Sequence, residues 1–221
     1  MLLFLLVNCT IGGMNLIISV VIVFLLLCIS ETLWRHRDIN TEFTRKFVHI
    51  TAGSFVAFWS LYLSRGEIVF LSIAFVAVVV ISKYANLFKA IHSVQRPTWG
   101  EIMFAATVGI LAFVAHSHWI YCAALLNMSL ADGLAAVFGM KFGKTTRYKV
   151  FGYAKSVVGT LTFFIVSMAI LTGMAIFEPS VFSLWFIAIA VVATILENVA
   201  VRGLDNLLVP LFVAVALNVV R

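Results

Sequence analysis

Trp119-Ile-Tyr-Cys-Ala-Ala-Leu-Leu-Asn127-Met-Ser-Leu-Ala-Asp132-Gly-Leu-Ala-Ala-Val-Phe138 is a largely apolar run that carries one acid. A helix of roughly 20 apolar residues spans a bilayer core about 30 Å thick, so the run reads as a membrane span over 119–138. A carboxylate inside such a span costs a few kcal/mol unless it is paired or hydrated, which makes Asp132 a candidate functional group. The basic stretch Gly139-Met-Lys141-Phe-Gly143-Lys144-Thr-Thr-Arg147-Tyr-Lys149 follows it, and Lys155-Ser156-Val-Val-Gly159-Thr160 then opens the next apolar run.

The rest of the chain repeats the pattern. Apolar stretches at 12–29, 47–63, 67–82, 101–115, 156–177, 181–199 and 204–220 bring the expected spans to about eight. With 63% hydrophobic residues, 11% charged residues and a mean hydropathy of +1.13, the chain lacks the polar residues needed to cover a soluble core. The expected fold is all-α, a polytopic integral membrane protein in which 1–221 form a single transmembrane catalytic domain. Cys9, Cys28 and Cys122 have no metal-ligand spacing and read as small core residues. Leu2–Val7 has no basic region before it, so the first span is expected to remain as an anchor.

Basic residues divide unevenly between the two sides of this arrangement. Arg35, Arg37, Arg45, Lys46, Lys83, Lys89, Arg96, Lys141, Lys144, Arg147, Lys149, Lys155 and Arg202 fall on one side, and only Arg65 and Arg221 on the other. The positive-inside rule makes the basic side cytoplasmic and puts both termini on the non-cytoplasmic side. Glu31, Asp38, Glu42, Glu101, Asp132, Glu197 and Asp205 lie in or near that half, whereas Glu67 and Glu178 lie outside.

Each polar position admits two readings. Asp132 is a magnesium ligand or general base, or it is structurally paired with Lys155 or another loop cation; Gly133 beside it permits close approach. Gly139, Gly143 and Lys144 resemble a Walker A loop superficially, but Phe138 stands where the first glycine is required and the spacing is one residue short. Backbone amides and ammonium groups there can still cradle phosphate, or the loop can simply face anionic lipid. Ser156 is placed to cap a helix, which also makes an anion site, while Lys155 can snorkel to headgroups. Lys46 and His49 share a helix face. Glu101 suits either a helix N-terminus or a metal, and Glu197, Asn198, Asp205 and Asn206 gather in one hairpin. Five segments therefore bring acids and bases to one leaflet depth, which favours chemistry on a headgroup over a pathway through the bilayer.

The ordered set Arg45-Lys46-x-x-His49, Thr98-x-Gly100-Glu101, Ala131-Asp132-Gly133-x-Ala135, Gly139-x-x-Phe142-Gly143-Lys144, Lys155-Ser156-x-x-Gly159-Thr160, Glu197 and Asp205-Asn206-x-x-x-Pro210 resembles the polyprenol kinase superfamily over about 45–212. That superfamily includes dolichol kinases, phytol and farnesol kinases and CTP-dependent diacylglycerol kinases, and the chain is as short as its small phytol-kinase-like members. The resemblance implies transfer of the terminal phosphoryl group of CTP, or ATP, to a membrane lipid alcohol, with Mg2+ and no nucleic-acid partner. It implies catalytic roles for Asp132, Lys155, Glu101 and His49. Lys46, Gly139, Gly143, Lys144, Ser156, Gly159 and Thr160 are then expected to bind nucleotide, and Asp132, Glu101, Glu197, Asp205 and Asn206 to hold metal. Met140 stands where many phytol-kinase-like members have arginine, and Ala136 where some have a second acid. The expected setting is a prokaryotic cell membrane with the site facing the cytoplasm. The rival readings are a cytidylyltransferase similar to CDP-diacylglycerol synthase, whose products are pyrophosphate and a CDP-lipid, and a membrane transporter.

Overall fold

The computed structural model of the chain describes residues 2–35, 41–85, 99–181 and 184–221. Among these, eight helical passages follow one another: α1 (Leu2–Arg35), α2 (Thr41–Ala57), α3 (Arg65–Ala85), α4 (Gly100–Val114), a composite passage from α5 (His118–Leu126) into α6 (Asp132–Phe142), α7 (Val157–Phe177), α8 (Phe186–Val199) and α9 (Asp205–Val220). Gly13–Leu33, Arg65–Ser82, His118–Phe142 and Val157–Phe177 are long and apolar enough to cross a membrane, and α4, α8 and α9 are shorter apolar helices. The chain is a polytopic all-α membrane protein.

The composite passage is the hub. In its apolar stretch 72% of the residues are buried by protein, against 17–28% in the other three long spans, which leave most of their surface for lipid. Tyr121, Leu125 and Met128 are closed off almost completely, and α2, α7 and α9 pack around them. At Asn127–Ala131 this passage widens into a single π-helical turn, which no sequence pattern announced. Inside it the Asn127 amide and the Ser129 hydroxyl donate back to the carbonyls of Ala123 and Leu125. Their donors are thereby satisfied without leaving the helix.

Two boundaries differ from expectation in ways that matter. α2 begins at Thr41 and ends at Ala57, earlier than the expected 47–63, so Lys46 and His49 stand on its second and third turns. The basic stretch after α6 is not an open loop. After one 3-10 turn at Lys144–Thr146 it forms an antiparallel hairpin, β1 (Arg147–Val150) and β2 (Tyr153–Ser156), with Tyr148 opposite Lys155. Phe151 and Gly152 both have positive φ, 47° and 83°, the pattern of a type I′ turn.

Candidate functional site

Asp132 owes its surroundings to a missing side chain. A Cβ on Gly133 would stand 2.1 Å from Cγ1 of Ile50, so α6 meets α2 closely there and sets Asp132 against the polar face of α2. Lys46 Nζ donates to Asp132 Oδ2 at 2.6 Å, and His49 Nε2 lies 3.3 Å from the same oxygen. His49 Nε2 is also 2.8 Å from the Met128 carbonyl, inside the π-helical turn. Both members of the ion pair are buried, so their charges interact with little screening by water. The partner of Asp132 is a cation from α2; Lys155, the loop cation considered from sequence, pairs elsewhere.

Lys155 reaches it by way of the hairpin. Opposed residues of a hairpin project to one face, and Tyr148 and Lys155 both point at the end of α8. The Tyr148 hydroxyl donates to Asn198 Oδ1 and contacts Thr160, and Thr160 donates to the same oxygen at 3.1 Å. Beside that latch, Lys155 Nζ donates to the Glu197 carboxylate at 2.5 Å and to the Glu197 carbonyl at 2.8 Å. Burial disfavours the Lys155 ammonium, but the Glu197 carboxylate, with Asp132 and Asp205 behind it, holds its pKa above the ordinary lysine value.

The hairpin, α2, α6, α7 and the α8–α9 turn enclose a cavity of about 530 Å3. Five cations face it, namely Arg45, Lys46, Arg147, Lys155 and Arg202, against the three carboxylates Asp132, Glu197 and Asp205. The excess of cations over carboxylates in the lining makes the net field favour an anion. Gly139, Ser156, Gly159 and Thr160 also line the cavity, as do Met140 and Ala136, the two departures from the family pattern. Sequence does not single out Arg147 and Arg202, the first because its loop reads as lipid-facing, the second because a lone basic residue reads as topology. Arg202 is delivered by a turn in which it and Gly203 have φ of 58° and 90°.

Other expected residues have different places. Lys144 is exposed, and neither it nor Gly143 lines the cavity. Gly143 and Gly139 are needed for packing, since a Cβ on either would stand 2.4 or 2.8 Å from the Ser156 hydroxyl. That hydroxyl caps α7 by accepting from Gly159 N–H at 3.0 Å, the role expected of it. Glu101 and Asn206 line a second, smaller cavity with His49, and the Asn206 amide is committed to the Gly100 carbonyl at 2.9 Å. Thr98 lies outside the described residues. Among the described residues no three His, Cys, Asp or Glu side chains form a metal-binding group. Magnesium, however, is commonly held by one or two carboxylates together with substrate phosphates. Asp205 fits that role, because it faces the large cavity and forms no hydrogen bond or ion pair with a described residue.

No family model and no solved structure matches the chain significantly. Among curated proteins, the phytol kinase of Synechocystis sp. is 33% identical over 180 residues, covering 77% of this chain and 76% of that protein. By that identity and coverage, and in agreement with its helical membrane fold, the chain belongs to the polyprenol kinase superfamily, among its phytol-kinase-like members.

Proposed function

We propose that the protein is a lipid-alcohol kinase that transfers the terminal phosphoryl group of CTP to a membrane isoprenoid alcohol, working at the cytoplasmic face of a prokaryotic membrane. The observation that supports this best is the cavity at the helix ends, where five cations face Asp132, Glu197 and Asp205, and Lys46 and Asp132 form a buried pair. Phosphoryl transfer needs positioning and charge neutralisation more than covalent help from protein, and the cavity offers both.

In the reaction, the alcohol oxygen forms a bond to the terminal phosphorus while the bond from that phosphorus to the bridging oxygen breaks. CDP leaves with the electron pair of the broken bond, and the alcohol proton passes to the Asp132 carboxylate. Arg45, Lys46, Arg147, Lys155 and Arg202 hold the phosphates; Tyr148 and Asn198 hold the hairpin so that Lys155 stays aimed inward. Asp205 would hold a magnesium ion, whose chemistry there is to neutralise charge on the phosphate oxygens.

The decisive experiment incubates purified protein in detergent with magnesium, labelled CTP or ATP, and a panel of phytol, farnesol, geranylgeraniol, longer polyprenols and diacylglycerol. CDP with a phosphorylated alcohol is the expected pair of products. Pyrophosphate with a CDP-lipid would replace this reading with the cytidylyltransferase.

A further inference from the structure

We propose that Tyr153 is the platform on which the base of the nucleotide stacks, with the phosphates running from it past Lys155 toward Asp132. The inference rests on the reading of the large cavity as a nucleotide site and adds the place and orientation of the nucleoside.

Aromatic residues make up 14% of the chain, yet Tyr153 is the only one among the described residues that line this cavity. A base presents a flat π face whatever its identity, and an aromatic ring is the side chain that matches it best. Ala200 and Val201, which follow α8, line the cavity too, so the lining holds uncharged surface as well as charge.

The strand β2 sets the order of the groups. Tyr153 opens it directly after the Phe151-Gly152 turn and pairs with Val150, so turn and register together fix its backbone. Side chains two apart in a strand project to one face, which puts Tyr153 and Lys155 side by side at a spacing of about 7 Å. One ribose opens a gap of that order between a base and its first phosphate. β2 then runs directly into α7, whose first amides favour negative charge. An aromatic face, an ammonium group and a helix N-terminus thus follow one another in the order in which a nucleotide presents its base and phosphates.

Burial agrees with that direction. Tyr153 and Lys155 are partly exposed, whereas Lys46 and Asp132 are buried. A nucleotide so placed keeps its base toward the rim and its terminal phosphate deepest, beside Asp132. Because every base offers a π face, Tyr153 contributes affinity and does not choose CTP over ATP.

The test separates the base from the phosphates. Binding of CDP, of ADP and of inorganic tripolyphosphate to the full-length protein in detergent, with magnesium and no lipid alcohol, is measured by titration calorimetry. For whichever nucleotide the unaltered protein binds more tightly, Tyr153→Ala should weaken binding by about tenfold to a hundredfold, the range for loss of an aromatic base platform, and leave tripolyphosphate within about twofold. Tyr153→Phe keeps the ring and should stay within about twofold for each ligand. Lys155→Ala should weaken nucleotide and tripolyphosphate alike. In the kinase assay the loss in Tyr153→Ala should fall on KM for the nucleotide rather than on kcat, as removal of uniform binding does. Equal weakening of nucleotide and tripolyphosphate in Tyr153→Ala, or a loss in Tyr153→Phe as large as in Tyr153→Ala, overturns the platform; the residue then acts through the hairpin or through its hydroxyl. Unchanged nucleotide affinity in Tyr153→Ala also overturns it and leaves the kinase reading intact. Failure of the unaltered protein to bind either nucleotide refutes the nucleotide reading of the cavity itself.

Discussion

The two ends of the helical bundle use their charges in opposite ways. At the end expected to face outward, Glu178 accepts from the Ser117 hydroxyl and pairs with Arg221 at 3.0 Å, while Asn218 joins the His116 amide to the Val114 carbonyl. Every one of these groups is spent on joining helix ends. At the other end Asp132 and Glu197 are paired, yet the Asp205 and Arg147 side chains line a cavity with no hydrogen bond or ion pair to a described residue. A polar network that closes on itself is structural, and one that leaves charge directed at a cavity is built to receive a charged ligand.

The strongest way to break this contrast is Asp132→Asn. The amide can still accept from Lys46, so the protein should remain folded in membranes, while turnover falls by about a thousandfold, within the range for loss of a catalytic acid–base group. Wild-type turnover in the folded variant would end the assignment of Asp132. Lys155→Ala should come next, lowering nucleotide affinity by about tenfold to a hundredfold, as expected for a charge-assisted contact. Because pairing with Glu197 holds Lys155 above its ordinary value of 10.5, its contribution to stability is complete below that pH and lost only as pH rises through the folded value. Thermal melts from pH 7 to 10 should therefore show no loss attributable to this pair, and the variant should lack the alkaline decline above it.

Gly143→Ala sharpens the comparison from within the inner end. A methyl group 2.4 Å from the Ser156 hydroxyl and 2.6 Å from the Gly139 carbonyl should cost about 1–3 kcal/mol in overpacking. The melting temperature should fall while the KM for nucleotide holds, since Gly143 is off the cavity. A raised KM with an unchanged melting temperature would restore the phosphate cradle. The smallest effect belongs to Arg221→Ala at the outer end, where the pair with Glu178 is partly exposed. It should cost no more than about 1 kcal/mol and leave turnover within about twofold.

How much of this was legible in sequence follows from the range of the interactions involved. The apolar spans were readable because hydrophobicity acts over contiguous residues, and Ser156 was readable as a cap because its partner Gly159 is three residues away. The pairing of Asp132 with Lys46 joins positions 86 residues apart, so no local pattern could choose Lys46 over Lys155. The hairpin was missed because its turn is Phe151-Gly152, where an Asn-Gly pair would have signalled it, and its strands are rich in basic residues. Glu101 and Asn206 group with the polar residues of the large cavity in sequence because depth along a span is readable, whereas the side of the helix on which a residue opens is not.

The length of α1 carries a consequence for the whole molecule. Its 34 residues extend about 51 Å at about 1.5 Å per residue, well beyond a bilayer core of about 30 Å. Such a helix must tilt or overhang, and its angle follows the thickness of the surrounding bilayer. α1 packs on α2, the helix that carries Lys46 and His49. A change in the tilt of α1 would therefore act first on the helix whose Arg45 lines both cavities, and reconstitution in lipids of graded chain length is the natural control for every rate measured on this protein.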